Sequence, residues 1–463
     1  MFELNKLRVK VFHLLGIDRA VFLAITGKIW TMVAGLLTTI LIASFFPPEL
    51  QGYYYAFFSV QALQVFAELG LGTVISAYAS HEWAKLAFDA QGRLTGDPDA
   101  RSRLVSLGRF ALRWYLAAGA AAAIFLTVGG FIFFGSTRWD HVAVWGWPWA
   151  VLCLVTGVNL CFMPVWALLE GCNQVSNVYR YRLIQSIASS TAAWCGIYFG
   201  CGLWVTSITG IAGLIAMVVM IGSRYRGFIR GIMFGHPAGQ CLNWRDDRLP
   251  MQWRVSLSWL SGFFTFSLFT PVLFHYQGPI VAGRMGMTWA FIAALTSVAS
   301  SWIAPKAPSF GMLIAQHKYA ELDRVFWRLT AVVIAVTSAG AIGIWTLVYA
   351  LGALHHPMAT RLLSPSTTAC LLVATIILAA SLPMSTYLRA HKKEPLLGIS
   401  IVSGVMTGFV VVIAGKYYSV EGVALGYLGV MAVVTPFVGL VWQRCRAEWH
   451  VHPLSNEDTA EVA

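Results

Sequence analysis

Long apolar runs separated by short polar breaks make up most of this chain. A helix needs about 20 apolar residues to cross the roughly 30 Å hydrocarbon core of a bilayer. Twelve stretches reach that scale. The first, 21–46, ends at Pro47-Pro48 because proline cannot continue a helix. The second is 52–80, GYYYAFFSVQALQVFAELGLGTVISAYAS. The others fall at 104–135, 148–170, 178–200, 202–222, 254–275, 279–304, 327–352, 366–388, 395–415 and 421–443. The pattern predicts an all-α, polytopic membrane protein with 12 transmembrane helices.

The polar breaks carry an asymmetric charge. With the N-terminus inside, cytoplasmic segments hold 27 of the 32 Lys and Arg, outer loops hold Arg138, Arg361 and Lys416, and Lys28 and Arg284 lie within spans. Such a bias places both termini in the cytoplasm. Trp139, Trp145, Trp147 and Trp149 then fall where an outer aromatic belt is expected. The longest basic break, 223–253, divides the chain into six-helix halves at 21–222 and 254–445, an arrangement expected of transporters built from repeats. Residues 1–20 alternate apolar side chains with Lys6, Arg8 and Lys10, which suits a retained amphipathic helix on an anionic cytoplasmic surface. The tail 446–463 reads as polar and disordered.

Composition agrees. Hydrophobic residues are 58% of the chain, charged residues 11%, and mean hydropathy is +0.68, whereas a soluble domain carries about 25% charged residues. The net charge of +12 would suggest nucleic acid in a soluble protein; here it reads as basic inner loops, with a basic cavity as an additional source, and no nucleic-acid partner is expected. The eight cysteines form no CxxC pair and the histidines no HExxH, so no metal site and no cofactor are expected.

Charges inside spans are expensive and are kept where they face protein or water. Glu68, deep in the second stretch, is either a structural ion-pair member or a cavity carboxylate that pairs with a basic residue and takes a coupling proton or cation. Gly70 and Gly72 beside it would let another helix approach closely. Lys28 and Arg284 either snorkel to the interface or line a cationic cavity, with Gly283 and Gly286 leaving room around a guanidinium suited to phosphate. Glu170 reads as the inner mouth of span four. Arg109 and Arg113, one turn apart at the inner end of span three, suit positive-inside anchoring or phosphate headgroups. Asn159 and Gln185 suit interhelical hydrogen bonds or sugar hydroxyls.

Three segments carry a family resemblance: PPELQGYYYAFFSVQALQVFAELGLGTVIS at 47–76, LLEGCNQVSNVYRYR at 168–182 and PKAPSFGMLIAQHKYAELDRVFWR at 305–328. The chain resembles polysaccharide exporters of the multidrug/oligosaccharidyl-lipid/polysaccharide (MOP) superfamily, closest to bacterial Wzx-type O-antigen flippases. The resemblance implies a MATE/MOP-like pair of six-helix bundles around a cavity open alternately to each side. It implies an undecaprenyl-pyrophosphate-linked oligosaccharide as substrate, a bacterial inner-membrane location, and a possible polysaccharide polymerase partner. It also implies that Lys28 and Arg284, in spans one and eight, match basic cavity positions of relatives.

Two other readings stay open. A cation-coupled small-molecule antiporter of the same superfamily would favour an acidic cavity. A membrane polymerase, ligase or glycosyltransferase would need a substantial outer loop, and none exceeds about 15 residues, well short of a folded domain. No enzyme is therefore expected. A major-facilitator carrier would show its own Asp-Arg segment after span two, where this chain reads SHEWAKLAFDAQGR.

Overall fold

The computed structural model describes residues 19–89, 94–138, 142–234, 249–303, 306–391 and 394–451. They form two compact units, Met1–Leu260 and Ser261–Ala463.

In the first unit, α1 spans Arg19–Phe45. Pro48 then serves as the first residue of α2, Pro48–Gln61, a position where the missing N–H costs nothing. A 3₁₀ turn at Ala62–Gln64 leads into α3, Val65–Glu68. Leu69 and Gly70 then adopt left-handed conformations, with φ of 49° and 67°, and the chain restarts as α4, Leu71–Trp83, bent by 44°. The second stretch is therefore a bent pair of helices rather than one straight helix, and it begins four residues earlier than the apolar pattern suggested. Ser256 Oγ donates to the carbonyl of Leu69 at 2.8 Å, satisfying a group that the break releases.

A short antiparallel ladder follows, β1 (Leu86–Phe88) on β2 (Leu94–Gly96), which the hydrophobic pattern did not anticipate. Asp97 then caps α5, Pro98–Arg138, accepting from the Ala100 N–H at 3.0 Å. The unit continues through α6 (Val142–Gly171), α7 (Val175–Tyr198), α8 (Trp204–Arg224), α9 (Arg226–Phe234) and α10 (Leu249–Phe266), the last crossing into the second unit.

Lipid offers no hydrophobic drive between helices, so small residues and polar seams hold them together. Gly119 of α5 and Gly157 of α6 face each other so closely that a Cβ on either would meet the other's carbonyl. Between α1 and α7, Trp30 donates to Ser190 (3.2 Å), Trp194 donates to Thr38 (2.9 Å), and Thr31 meets Ser186 (3.4 Å). Trp145 and Trp149 are fully buried against Phe134, and Trp149 donates to the carbonyl of Leu126 at 3.1 Å. Only Trp147, on the opposite helix face, is strongly exposed. The expected tryptophan belt is thus mostly core. Trp139 lies outside the described residues.

The second unit contains α11 (Phe269–Gln277), α12 (Pro279–Ile303), α13 (Ala307–Ala315), α14 (Tyr319–Ala353), α15 (Pro365–Ala390), α16 (Leu397–Tyr417) and α17 (Ser419–Val451). Ser364 caps α15 with Pro365 in its first turn. The feet of α14, α15 and α17 are tied by Arg446 on Asp323, with the Tyr387 hydroxyl 3.2 Å from Asp323 and 2.8 Å from His450 Nε2. Residues 446–451, expected in the disordered tail, are helical. Of the expected surface helix 1–20, all but Arg19 and Ala20 lie outside the described residues.

Among the described residues nine helices are long and apolar enough to cross a membrane, ten if the bent pair counts as one. Twelve is not reached on that criterion, for two reasons. The polar seam of α7 lowers its hydropathy, and the seventh expected span is interrupted at Ser267-Leu268, leaving α10 and α11 as separate pieces. The chain is a multi-pass helical membrane protein.

Candidate functional site

Helices of the first unit line a partly open cavity of about 250 Å³. Its lining is Phe58, Gln61 and Gln64 from α2 and the following turn, Leu152, Thr156 and Asn159 from α6, Gln185 and Ser189 from α7, and Thr206, Thr209, Gly210 and Gly213 from α8. Each helix contributes a polar pair one turn apart, at i,i+3 or i,i+4, the spacing that puts two side chains on one helix face.

The hydroxyls of the lining are self-satisfied. Gln61 Nε2 donates to Thr156 Oγ1 at 2.6 Å, and Thr156 donates to the Leu152 carbonyl at 2.8 Å. Thr206 and Thr209 donate to the carbonyls of Leu203 (2.8 Å) and Val205 (2.7 Å), and Ser189 to that of Thr209 (3.1 Å). These bonds pin the hydroxyl protons and leave oxygen lone pairs for a ligand. Gly213 permits this approach, since a Cβ there would lie 2.6 Å from Ser189 Oγ and 3.5 Å from Gln185.

The amides are less committed. Asn159 Nδ2 donates to the Val155 carbonyl at 3.0 Å, leaving its Oδ1 unpartnered among the described residues. Gln64 and Gln185 have no hydrogen bond among the described residues. No ionisable side chain lines the cavity. Such a surface can donate to and accept from a hydroxylated, uncharged group, with Phe58 offering a ring face.

The structure brings two of the expected site residues together, Asn159 and Gln185, and distributes the rest. Glu68 is half-buried at the last residue of α3, before the break, rather than in mid-helix, and it has no ion-pair partner among the described residues. The expected carboxylate–base pair is not seen among the described residues. A Cβ added at Gly72 would lie 3.9 Å from the Tyr115 hydroxyl. Lys28 is exposed, with no polar partner among the described residues. Arg284 is exposed and donates Nε to the Thr360 carbonyl at 2.9 Å, while its neighbours Gly283 and Gly286 are buried. Arg109 donates Nε to the Ile232 carbonyl at 3.0 Å, and Arg113 is exposed. Glu170 pairs with Arg182 at 2.8 Å.

Gln61, Gln64, Thr156, Ser189, Thr206 and Thr209 were not anticipated. The signal was available as polar pairs recurring at one-turn spacing in four successive apolar helices. Among the described residues no cluster of three or more His, Cys, Asp or Glu could hold a metal.

The fold defines a class: two helical units of membrane-spanning helices, one bearing a partly open cavity whose lining mixes apolar and uncharged polar side chains. Solved structures with a similar fold include MATE transporters and another transporter of the MOP superfamily. A multidrug resistance MATE family transporter in an inward-facing conformation superposes with TM-score 0.65 at 15% identity, covering 94% of this chain and 100% of that one. A Vibrio cholerae MATE transporter gives 0.57 at 13% identity, covering 93% and 96%. A MOP superfamily transporter from Pyrococcus furiosus, described as having a binding pocket of reverse polarity that suggests a different function, gives 0.54 at 16% identity, covering 94% and 97%. The chain shares their fold. No protein-family model and no curated protein matches it.

Proposed function

We propose that this protein is an alternating-access flippase that carries the head group of an undecaprenyl-pyrophosphate-linked oligosaccharide from the cytoplasmic to the periplasmic leaflet of a bacterial inner membrane. The observation that carries this reading is the neutral lining of the cavity, with the unpartnered amides of Gln64 and Gln185 and the free Oδ1 of Asn159. Sugar hydroxyls need neutral donors and acceptors, and a pocket built to hydrogen-bond them rejects ligands that lack them. Crossing hydrocarbon without such replacements is prohibitive for a hydroxylated head.

The pyrophosphate requires cations. Arg284 commits Nε to Thr360, and its terminal nitrogens have no partner among the described residues. The ammonium of Lys28 in the first unit and the guanidinium of Arg284 in the second are each, separately, a candidate cation for phosphate. Glu68, which has no ion-pair partner among the described residues, is the group that would take a proton when the carrier is empty.

A cation-coupled antiporter is the second reading. The likeness to MATE transporters favours it; the uncharged cavity lining opposes it. The test uses purified protein in proteoliposomes, offered either a polyprenyl-pyrophosphate glycan or a lipophilic cation. Glycan translocation that falls about tenfold in Gln185→Leu, roughly the worth of one hydrogen bond at 1.4 kcal/mol, supports the flippase. Proton-driven cation transport indifferent to Gln185→Leu establishes the antiporter instead.

A further inference from the structure

The nine-residue helix α9, immediately after α8, has two faces. Phe228 and Ile232 are buried: the Phe228 ring lies 5.5 Å from Phe88 of the hairpin, and Ile232 packs where Gly108 leaves room on α5. Arg109 of α5 holds the last turn by its bond to the Ile232 carbonyl, a cation at the negative end of the helix dipole.

The outward face carries Arg226, Arg230, Met233 and Phe234, at i, i+4, i+7 and i+8. That is one stripe of a helix. Met233 and Phe234 are 52% and 72% exposed. Arg226 and Arg230 have no hydrogen bond or ion pair among the described residues, whereas Arg103 and Arg182 of the same unit are paired with Glu82 and Glu170. Bare arginines leading into bare Met and Phe do not make a water-facing surface. They match the two layers of a bilayer interface, anionic headgroups above acyl chains.

We propose that α9 is a docking surface for anionic phospholipid headgroups, with Arg226 and Arg230 on the phosphates and Met233 and Phe234 at the acyl boundary. The charge bias puts α9 on the cytoplasmic side, where such lipids bear on it. This site is separate from the cavity and independent of what the cavity carries.

The test is hydrogen–deuterium exchange of the full-length protein in phosphatidylglycerol and in phosphatidylcholine nanodiscs. Amides of 226–234 should exchange about tenfold more slowly in phosphatidylglycerol. The double variant Arg226→Gln/Arg230→Gln should lose that difference, while α8 peptides stay unchanged and report an intact fold. A control variant, Arg324→Gln/Arg328→Gln, removes the same charge from exposed positions of α14 and should keep it. Equal exchange of wild type in the two lipids overturns the proposal and leaves the face to a protein partner. Loss of the difference in the control, or its persistence in the α9 variant, overturns it equally.

Discussion

Glu68 and Glu82 sit fourteen positions apart and illustrate opposite uses of a carboxylate. Glu82 is held by Arg103, whose Nε lies 3.0 Å from both carboxylate oxygens and whose Nη2 lies 2.9 Å from one. Removing its charge leaves Arg103 under-satisfied, so Glu82→Gln should cost about 1 kcal/mol. Glu68 has no such partner, so Glu68→Gln should leave the thermal unfolding midpoint in detergent unchanged and lower transport. A large stability loss in Glu68→Gln would show a structural role. Packing allows a sharper contrast between glycines. A Cβ at Gly130 would fall on the Trp149 indole nitrogen, whereas Gly27 has open space. Gly130→Ala should destabilise by about 1–3 kcal/mol as Trp149 is pushed from Leu126. Gly27→Ala should be neutral or stabilising by up to about 1 kcal/mol.

At the scale of elements, the break after α3 is the feature that departs most from the apolar pattern. Gly70 tolerates its φ of 67° without a Cβ penalty. Gly70→Ala should therefore cost about 1–2 kcal/mol, read from the same unfolding experiment. The apolar runs announced nearly every long helix, because lipid forces backbone groups to pair within a segment. They did not announce the break, since Leu69 is an ordinary residue in an unfavoured conformation held by Ser256, far off in sequence. For the same reason Trp145 and Trp149 passed for a belt: hydropathy does not distinguish burial in protein from burial in lipid. Asn159 and Gln185 were legible as polar residues in apolar helices. Their meeting with Thr156, Ser189 and Thr206 depends on how α6, α7 and α8 pack, which no single helix encodes.

For the whole molecule, sidedness follows from where the arginines and lysines fall. Alkaline phosphatase fused after Ala143 should be active and fused after Phe234 inactive; the reverse would invert the orientation. The polar seam of α7 has a further consequence for biosynthesis. A helix bearing Arg180, Arg182, Gln185, Ser186, Ser189 and Ser190 is a poor client for the translocon when it stands alone, because partition into lipid is judged segment by segment. Trp30, Thr31 and Thr38 of α1 offer the groups its serines and Trp194 bond in the finished protein. The nascent chain must therefore keep α1 within reach until α7 emerges, some 150 residues later. Insertion of this span is a cooperative event between two distant parts of the polypeptide, and mutating the early helix should strand the later one outside the bilayer.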